Sequence, residues 1–133
     1  MATRVTRSGS SARPRGSGWE LANWYLMRLT GLGLFVTALA HYIIVHFVSD
    51  PAIQKADWIA VRWSGAAWRT VDWLMLGFVV FHAFMGLRIV VADYTSGGLR
   101  TVLTLALYVA AIVLFAMGTM ALVTFPMPGP VQP

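Results

Sequence analysis

In a stretch almost free of charge the chain places His82, and it ends that stretch in Asp93 and Tyr94. The run reads His82-Ala-Phe-Met-Gly86-Leu-Arg88-Ile-Val-Val-Ala-Asp93-Tyr94. Polar groups set into hydrocarbon cost free energy, so each of them asks for a task. On a helix turning about 100° per residue, Gly86 stands about 40° from His82 around the axis and Asp93 about 20°. One face then carries an imidazole, a gap without a side chain, and a carboxyl at the end. That arrangement suits a flat cofactor held mid-membrane and a polar reaction site near the surface.

Only 11% of the 133 residues are charged, 58% are hydrophobic, and the mean hydropathy is +0.68. A soluble domain carries about 25% charged residues, so this composition belongs to a membrane protein. Residues 29–49 and 101–125 are two uncharged segments of 21 and 25 residues. Each is long enough to cross a hydrocarbon core of about 30 Å. The middle segment has only 15 uncharged residues between Asp72 and Arg88, and it spans if it continues past Arg88. The expectation is an all-α membrane protein with three transmembrane helices, at about 23–48, 68–94 and 100–125. These form a membrane anchor domain over 19–126. A flexible basic tail is expected over 1–18 and a Pro-rich tail over 127–133.

No cysteine is present, which removes disulfides, thiolate metal sites and cysteine catalysis. The N-terminal segment has no apolar core of its own and is expected not to be a cleavable signal. Seven of the ten basic residues (Arg4, Arg7, Arg13, Arg15, Arg28, Arg88 and Arg100) fall before helix I or around the turn between helices II and III. Lys55, Arg62 and Arg69 fall in the connection between helices I and II. The excess of positive charge sets the N-terminus and the II–III turn in the cytoplasm and the C-terminus outside. It reads as a topology signal, with no nucleic-acid partner. The turn 95–98 is short, so helices II and III are antiparallel neighbours. The I–II connection spaces Trp58, Trp63, Trp68 and Trp73 five residues apart. An interfacial aromatic belt accounts for them, and a ligand-binding aromatic cage is the alternative. Residues 52–63 are expected as a short amphipathic helix on the outer surface.

Three histidines fall in the spanning segments: His41, His46 and His82. A membrane histidine can simply be a hydrogen-bonded packing residue. A b haem held across a membrane instead takes two axial imidazoles, one from each side of the ring. His41 and His82 can supply both within the chain, or His82 can supply one and a partner subunit the other. His46, about 140° round from His41, faces the interface. Arg28 sits where haem propionates would leave the hydrocarbon and need a cation. Tyr94 lies about 18 Å along the helix from His82. Tyrosine and aspartate at a helix end are ordinary interface residues. As a pair they also suit a quinone head group, the phenol bonding a carbonyl and the carboxyl relaying protons. Whether Arg88 pairs with Asp93, about 140° round the helix, stays open at this point.

The run His-x3-Gly-x6-Asp-Tyr on the second of three helices resembles the small D-type membrane-anchor subunit of succinate dehydrogenase. The likeness extends to Met27-Arg28-Leu29-Thr30-Gly31 opening helix I and to Leu99-Arg100 opening helix III. It implies an integral protein of the bacterial cytoplasmic membrane that binds haem b, with His82 as axial iron ligand, Gly86 against the ring and Arg28 at a propionate. It implies that Asp93 and Tyr94 border a site for menaquinone or ubiquinone. It implies as partners a flavoprotein carrying FAD, an iron–sulfur subunit, a second membrane anchor and membrane lipid. Succinate oxidation belongs to those soluble subunits, and this chain is not catalytic alone. Gly86-Leu87-Arg88 also resembles the C-type companion anchor, in which His82 would keep its role and Tyr94 would lose it. The anchor of a quinol:fumarate reductase and a cofactor-free structural subunit are the remaining alternatives.

Overall fold

Backbone amides and carbonyls in hydrocarbon must bond within their own segment, so long uncharged runs close into helices. The computed structural model describes residues 18–126. Apart from Gly18, the tails expected over 1–18 and 127–133 lie outside these residues. Helix α1 runs Gly18–Ile43, α2 Ala56–Ser64, α3 Ala66–Tyr94 and α4 Gly97–Thr124, and the described residues contain no strand. Three helices are long and apolar enough to cross a membrane: Gly18–Val48, Ala66–Tyr94 and Gly97–Thr124. The first includes a π-helical turn, Ile44–Val48, that continues α1.

All three begin earlier than the expected 23, 68 and 100. Hydropathy marks where hydrocarbon starts, whereas the hydrogen-bonded helix runs on into the headgroup zone. At about 1.5 Å per residue, 31 residues reach well past a core of about 30 Å. Glu20, in the first turn of α1, favours the positive end of the helix dipole there.

The order of packing is simple. Helix α3 lies between α1 and α4 and touches both. Only Thr95 and Ser96 separate α3 from α4, and Gly97 takes φ +60, a conformation glycine adopts without steric cost. Small residues set how close the helices come. A Cβ on Gly33 would stand 2.8 Å from the Phe78 ring, and one on Gly118 would stand 2.6 Å from Leu76. Among the described residues only Thr30, Ala60, Asp72 and Leu122 are buried. The outward surface is instead leucine, phenylalanine and valine, with Leu32 and Phe35 on α1 and Leu105 and Ile112 on α4 all exposed. Such a surface is at home against lipid or other apolar helices.

The end of the bundle that carries α2 is closed by one carboxylate. Arg62 Nη2 donates to Asp72 Oδ1 at 2.9 Å, and Trp63 Nε1 donates to Asp72 Oδ2 at 2.8 Å. His41 Nδ1 lies 3.3 Å from both Asp72 Oδ1 and Arg62 Nη2. One ring nitrogen serves either the carboxylate as donor or the guanidinium as acceptor, never both at once. Helices α1, α2 and α3 are thereby tied at a single point. Gln54 donates its side-chain amide to the Val45 carbonyl, which satisfies an acceptor at the frayed end of α1. The surface helix expected over 52–63 is observed as α2, four residues shorter at its start because a 3₁₀ turn occupies Pro51–Ile53.

The tryptophans do surround a cation, and it belongs to the chain itself. The Arg62 guanidinium lies 5.8 Å from the Trp58 ring centre and 5.2 Å from that of Trp68. Trp63 meets Phe125 edge-on at 5.1 Å, and Trp73 Nε1 donates to Thr119 Oγ1 at 3.1 Å. The five-residue spacing thus ties α2, α3 and α4 together.

Replacing Asp72 by alanine strands the Arg62 charge and the Trp63 donor. The side chains of Arg62 and Asp72 are 11% and 9% exposed, so little solvent can compensate. The expected cost is about 3–5 kcal/mol, measured as a lower thermal unfolding midpoint in detergent. Asp72→Asn should recover part of it by keeping an acceptor for Trp63. A wild-type midpoint for Asp72→Ala would show that the cluster contributes nothing.

Candidate functional site

His82 sits near the middle of α3 and turns toward α1. Its Nδ1 lies 3.2 Å from Thr30 Oγ1, across 52 residues of chain. Thr30 is itself at the middle of α1 and 5% exposed. Its hydroxyl has one proton, and the Leu26 carbonyl accepts it at 2.7 Å, with the Met27 carbonyl at 3.3 Å. A hydroxyl whose proton is committed to its own helix can only accept from the imidazole. The proton of neutral His82 is therefore assigned to Nδ1, leaving Nε2 with a free lone pair. Nε2 makes no hydrogen bond among the described residues. An imidazole with its far nitrogen fixed by a donor bond and its near one bare is the form in which histidine binds a metal.

Position 31 is shaped for the same ring. A Cβ on Gly31 would stand 3.2 Å from His82 Cε1 and 3.7 Å from Nδ1, tighter than a comfortable carbon–carbon contact. One turn further along α3, Gly86 also faces α1. Its nearest neighbour would be the end of the Met27 side chain, at 4.0 Å from an added Cβ. The gap expected at Gly86 is thus bordered by a flexible thioether, a side chain that adapts readily.

Arg28 lies over the Trp24 ring at 3.6 Å and is exposed. Beside it, Trp24 Nε1 and Asn23 Oδ1 are covered yet have no hydrogen-bond partner among the described residues. Covered polar atoms left without partners are uncommon and call for an explanation. Asp93 and Tyr94 end α3 and are exposed, Tyr94 by 85%. Neither makes a hydrogen bond or ion pair among the described residues, where both ion pairs converge on Asp72. Arg88 therefore does not pair with Asp93.

His41, the other candidate ligand, lies elsewhere. It belongs to the Asp72 cluster, and Asp72 precedes His82 by ten residues, about 15 Å along α3. The structure thus does not bring His41 and His82 to one level. His46 is exposed, stacks on Tyr42 at 4.4 Å between ring centres, and lies 3.1 Å from the Tyr42 carbonyl.

In the sequence Thr30 stands out only as part of a motif and Gly31 only as a small residue permitting close helix approach, while Asn23 and Trp24 drew no expectation. The spacing of Trp24 and Arg28, four apart on a helix, was a readable signal for a stacked pair. The partnership of Thr30 with His82 becomes visible only once the register of α1 against α3 is known.

Three apolar spans around a centrally held imidazole define an integral membrane protein of the anchor type. The chain belongs to the succinate dehydrogenase/fumarate reductase transmembrane subunit family, whose pattern matches residues 4–123. It is also similar to a succinate dehydrogenase hydrophobic membrane anchor subunit of Archaeoglobus fulgidus, 31% identical over 77 residues. That stretch covers 58% of this chain and 64% of the archaeal protein, just under two thirds of its length.

Gly31→Val would push two methyl groups into the space of the His82 ring. Overpacking of this kind costs about 1–3 kcal/mol. The expected result is a lower unfolding midpoint together with a shifted His82 ring ¹⁵N resonance. If both stayed at wild-type values, the α1–α3 contact at this level would be looser than described.

Proposed function

We propose that this chain is the D-type anchor of a succinate:quinone oxidoreductase, binding haem b through His82 Nε2 and forming part of a quinone-reduction site. The observation that carries the reading is the Thr30–His82 hydrogen bond, which fixes the ring and leaves Nε2 bare. Bound haem would supply one-electron chemistry at the middle of the membrane. Because His41 is engaged with Asp72, a further ligand would be supplied by the other anchor subunit. The residues here fit one half of such a site. His82 would hold the group through Nε2, Gly31 gives the imidazole room, and Gly86 leaves a surface without a side chain beside the flexible Met27.

Arg28 and the unpartnered Trp24 Nε1 together offer a cation and a donor at one level of α1. Haem propionates are carboxylates and match that pair. At the end of α3, the Tyr94 O–H would donate to a quinone carbonyl, and Asp93 would pass on protons as quinone becomes quinol. The exposure of both supports a site completed by the iron–sulfur subunit. In this reading the α3–α4 turn faces the cytoplasm of a bacterial cell and the α2 end faces outside, as the arginine distribution favours. Succinate would be oxidised in a partner flavoprotein carrying FAD, with electrons crossing iron–sulfur clusters. The same anchor serves fumarate reduction when those partners and the quinone potential reverse the flow.

His82→Ala in the assembled complex should remove the low-spin b-type absorption band, checked by haem content per complex. Undiminished haem would transfer the ligand role to another histidine. Thr30→Val keeps the bulk but removes the acceptor for Nδ1–H, and haem should bind about tenfold more weakly or worse. Haem retained as tightly as in wild type would mean Thr30 does not orient the ligand.

Tyr94→Phe removes one phenol O–H. Quinone reductase activity should fall by about tenfold, the equivalent of one hydrogen bond, while succinate oxidation with an artificial acceptor stays unchanged. Equal activity with both acceptors would return Tyr94 to an ordinary interface residue.

A further inference from the structure

A sizeable cavity lies away from His82. It is a groove of about 450 Å³ between α3 and α4, walled by Gly77, Phe81, Phe84, Ala111 and Phe115 among others. Its walls are mostly apolar; Arg88 and Thr104 enter at the end nearest the α3–α4 turn, and Tyr108 lies one turn further along α4. There it meets a second cavity of about 290 Å³, lined by Arg88 and Arg100 with Ala92 and Thr104. Neither arginine makes an ion pair, since the pairs among the described residues are both at Asp72. Arg88 stands about 120° round α3 from His82, so the haem face and this groove are different faces. Phe115, packed against Trp73 at 5.7 Å, borders the far end.

We propose that this groove is a binding site for an anionic phospholipid, with one acyl chain between α3 and α4 and the phosphate held by Arg88 and Arg100. Three properties select that occupant. The groove runs from Arg88 to Gly77, about 16 Å at 1.5 Å per residue, which is half of a hydrocarbon core of about 30 Å. A transmembrane helix of a partner needs the full thickness, whereas a lipid tail needs one leaflet. The two guanidiniums lie together at the headgroup end, and a phosphodiester accepts donor pairs from arginine. A quinone also has a tail and a polar head, but it is uncharged and would leave both cations unneutralised. Basic pockets between spanning helices are the usual seats of anionic headgroups. The only carboxylate nearby on α3, Asp93, is five residues from Arg88 and unpaired with it. The inference goes beyond the haem and quinone reading and does not depend on it.

The test uses the whole complex, stripped of lipid in mild detergent and then offered vesicles of phosphatidylglycerol or of phosphatidylcholine with the same acyl chains. Lipid retained after repurification is counted by native mass spectrometry, and the haem band is recorded on the same samples. The wild-type complex should retain phosphatidylglycerol about tenfold better than phosphatidylcholine. R88Q combined with R100Q should abolish that preference. Ala111→Phe, which keeps both arginines and fills the groove, should reduce retention of both lipids. Equal retention of the two lipids by wild type overturns the proposal. So does a preference that survives the double substitution, or retention unchanged in Ala111→Phe. The haem band reports on His82 separately, so failure here and failure of the haem reading give different results.

Discussion

An imidazole in hydrocarbon must give its proton to something, and in this chain it gives it to a hydroxyl that has already spent its own. Leu26 carbonyl, Thr30 hydroxyl and His82 Nδ1 form one line of hydrogen bonds running from the backbone of α1 into α3. The direction of every proton follows from the 2.7 Å bond at its start. Much else is arranged around that line. Gly31 is bare because the ring lies against it, and Gly33 is bare because Phe78 packs the next level in the same way. Helices that associate in lipid gain little from the hydrophobic effect and rely on close contact and polar bonds. Here both occur at the same turn of α1, so the bond that orients His82 also helps hold α1 to α3.

The two ends of the bundle are built on opposite plans. At the α2 end polar groups of α1 and α2 converge on Asp72 of α3, and Trp58 and Trp68 flank Arg62. Charges removed from water are tolerable only with a partner, and this end keeps its partners within the chain. At the turn end Arg28, Arg88, Asp93, Tyr94 and Arg100 make no ion pair or hydrogen bond among the described residues. A buried cluster rigidifies, whereas exposed and unpaired groups await a surface.

The three spans were legible because hydrocarbon is a demanding solvent: a charge-free run of sufficient length has few other fates. The α3–α4 hairpin was legible from the shortness of its turn. The register between helices was not. Apolar side chains facing lipid leave almost no periodic trace, so nothing in the sequence said that position 30 would meet position 82, or that His41 would meet Asp72. That gap left a His41–His82 pair and a partner's histidine as equal alternatives, since nothing in the sequence set the level of either ring. Asp72 was read as the edge of a hydrophobic run rather than as the anchor of three helices, because its partners Arg62 and Trp63 lie on another element. Trp24 and Asn23 were hidden for a related reason, since an unpartnered atom is a property of surroundings.

Very little of the described chain is buried within itself, and half of what is buried is polar. Two of the four buried residues among those described are Thr30 and Asp72, each the centre of a hydrogen-bonded cluster. A soluble domain buries apolar side chains and is stabilised by that burial. In a membrane the solvent is as apolar as the core, so burial of leucine gives no such return, and the specific polar bonds carry the register instead. The consequence for function is that the fold fixes only the groups it bonds. His82 is fixed in rotation and tautomer, and Asp72 is fixed completely, while Tyr94 and Arg88 are positioned in space but left without partners. Groups of the second kind take their final geometry from whatever binds them, so stability of the folded chain and occupancy of its sites are linked by mass action. A fold organised in this way fixes its bonded groups and leaves the others open to whatever surface or ligand meets them.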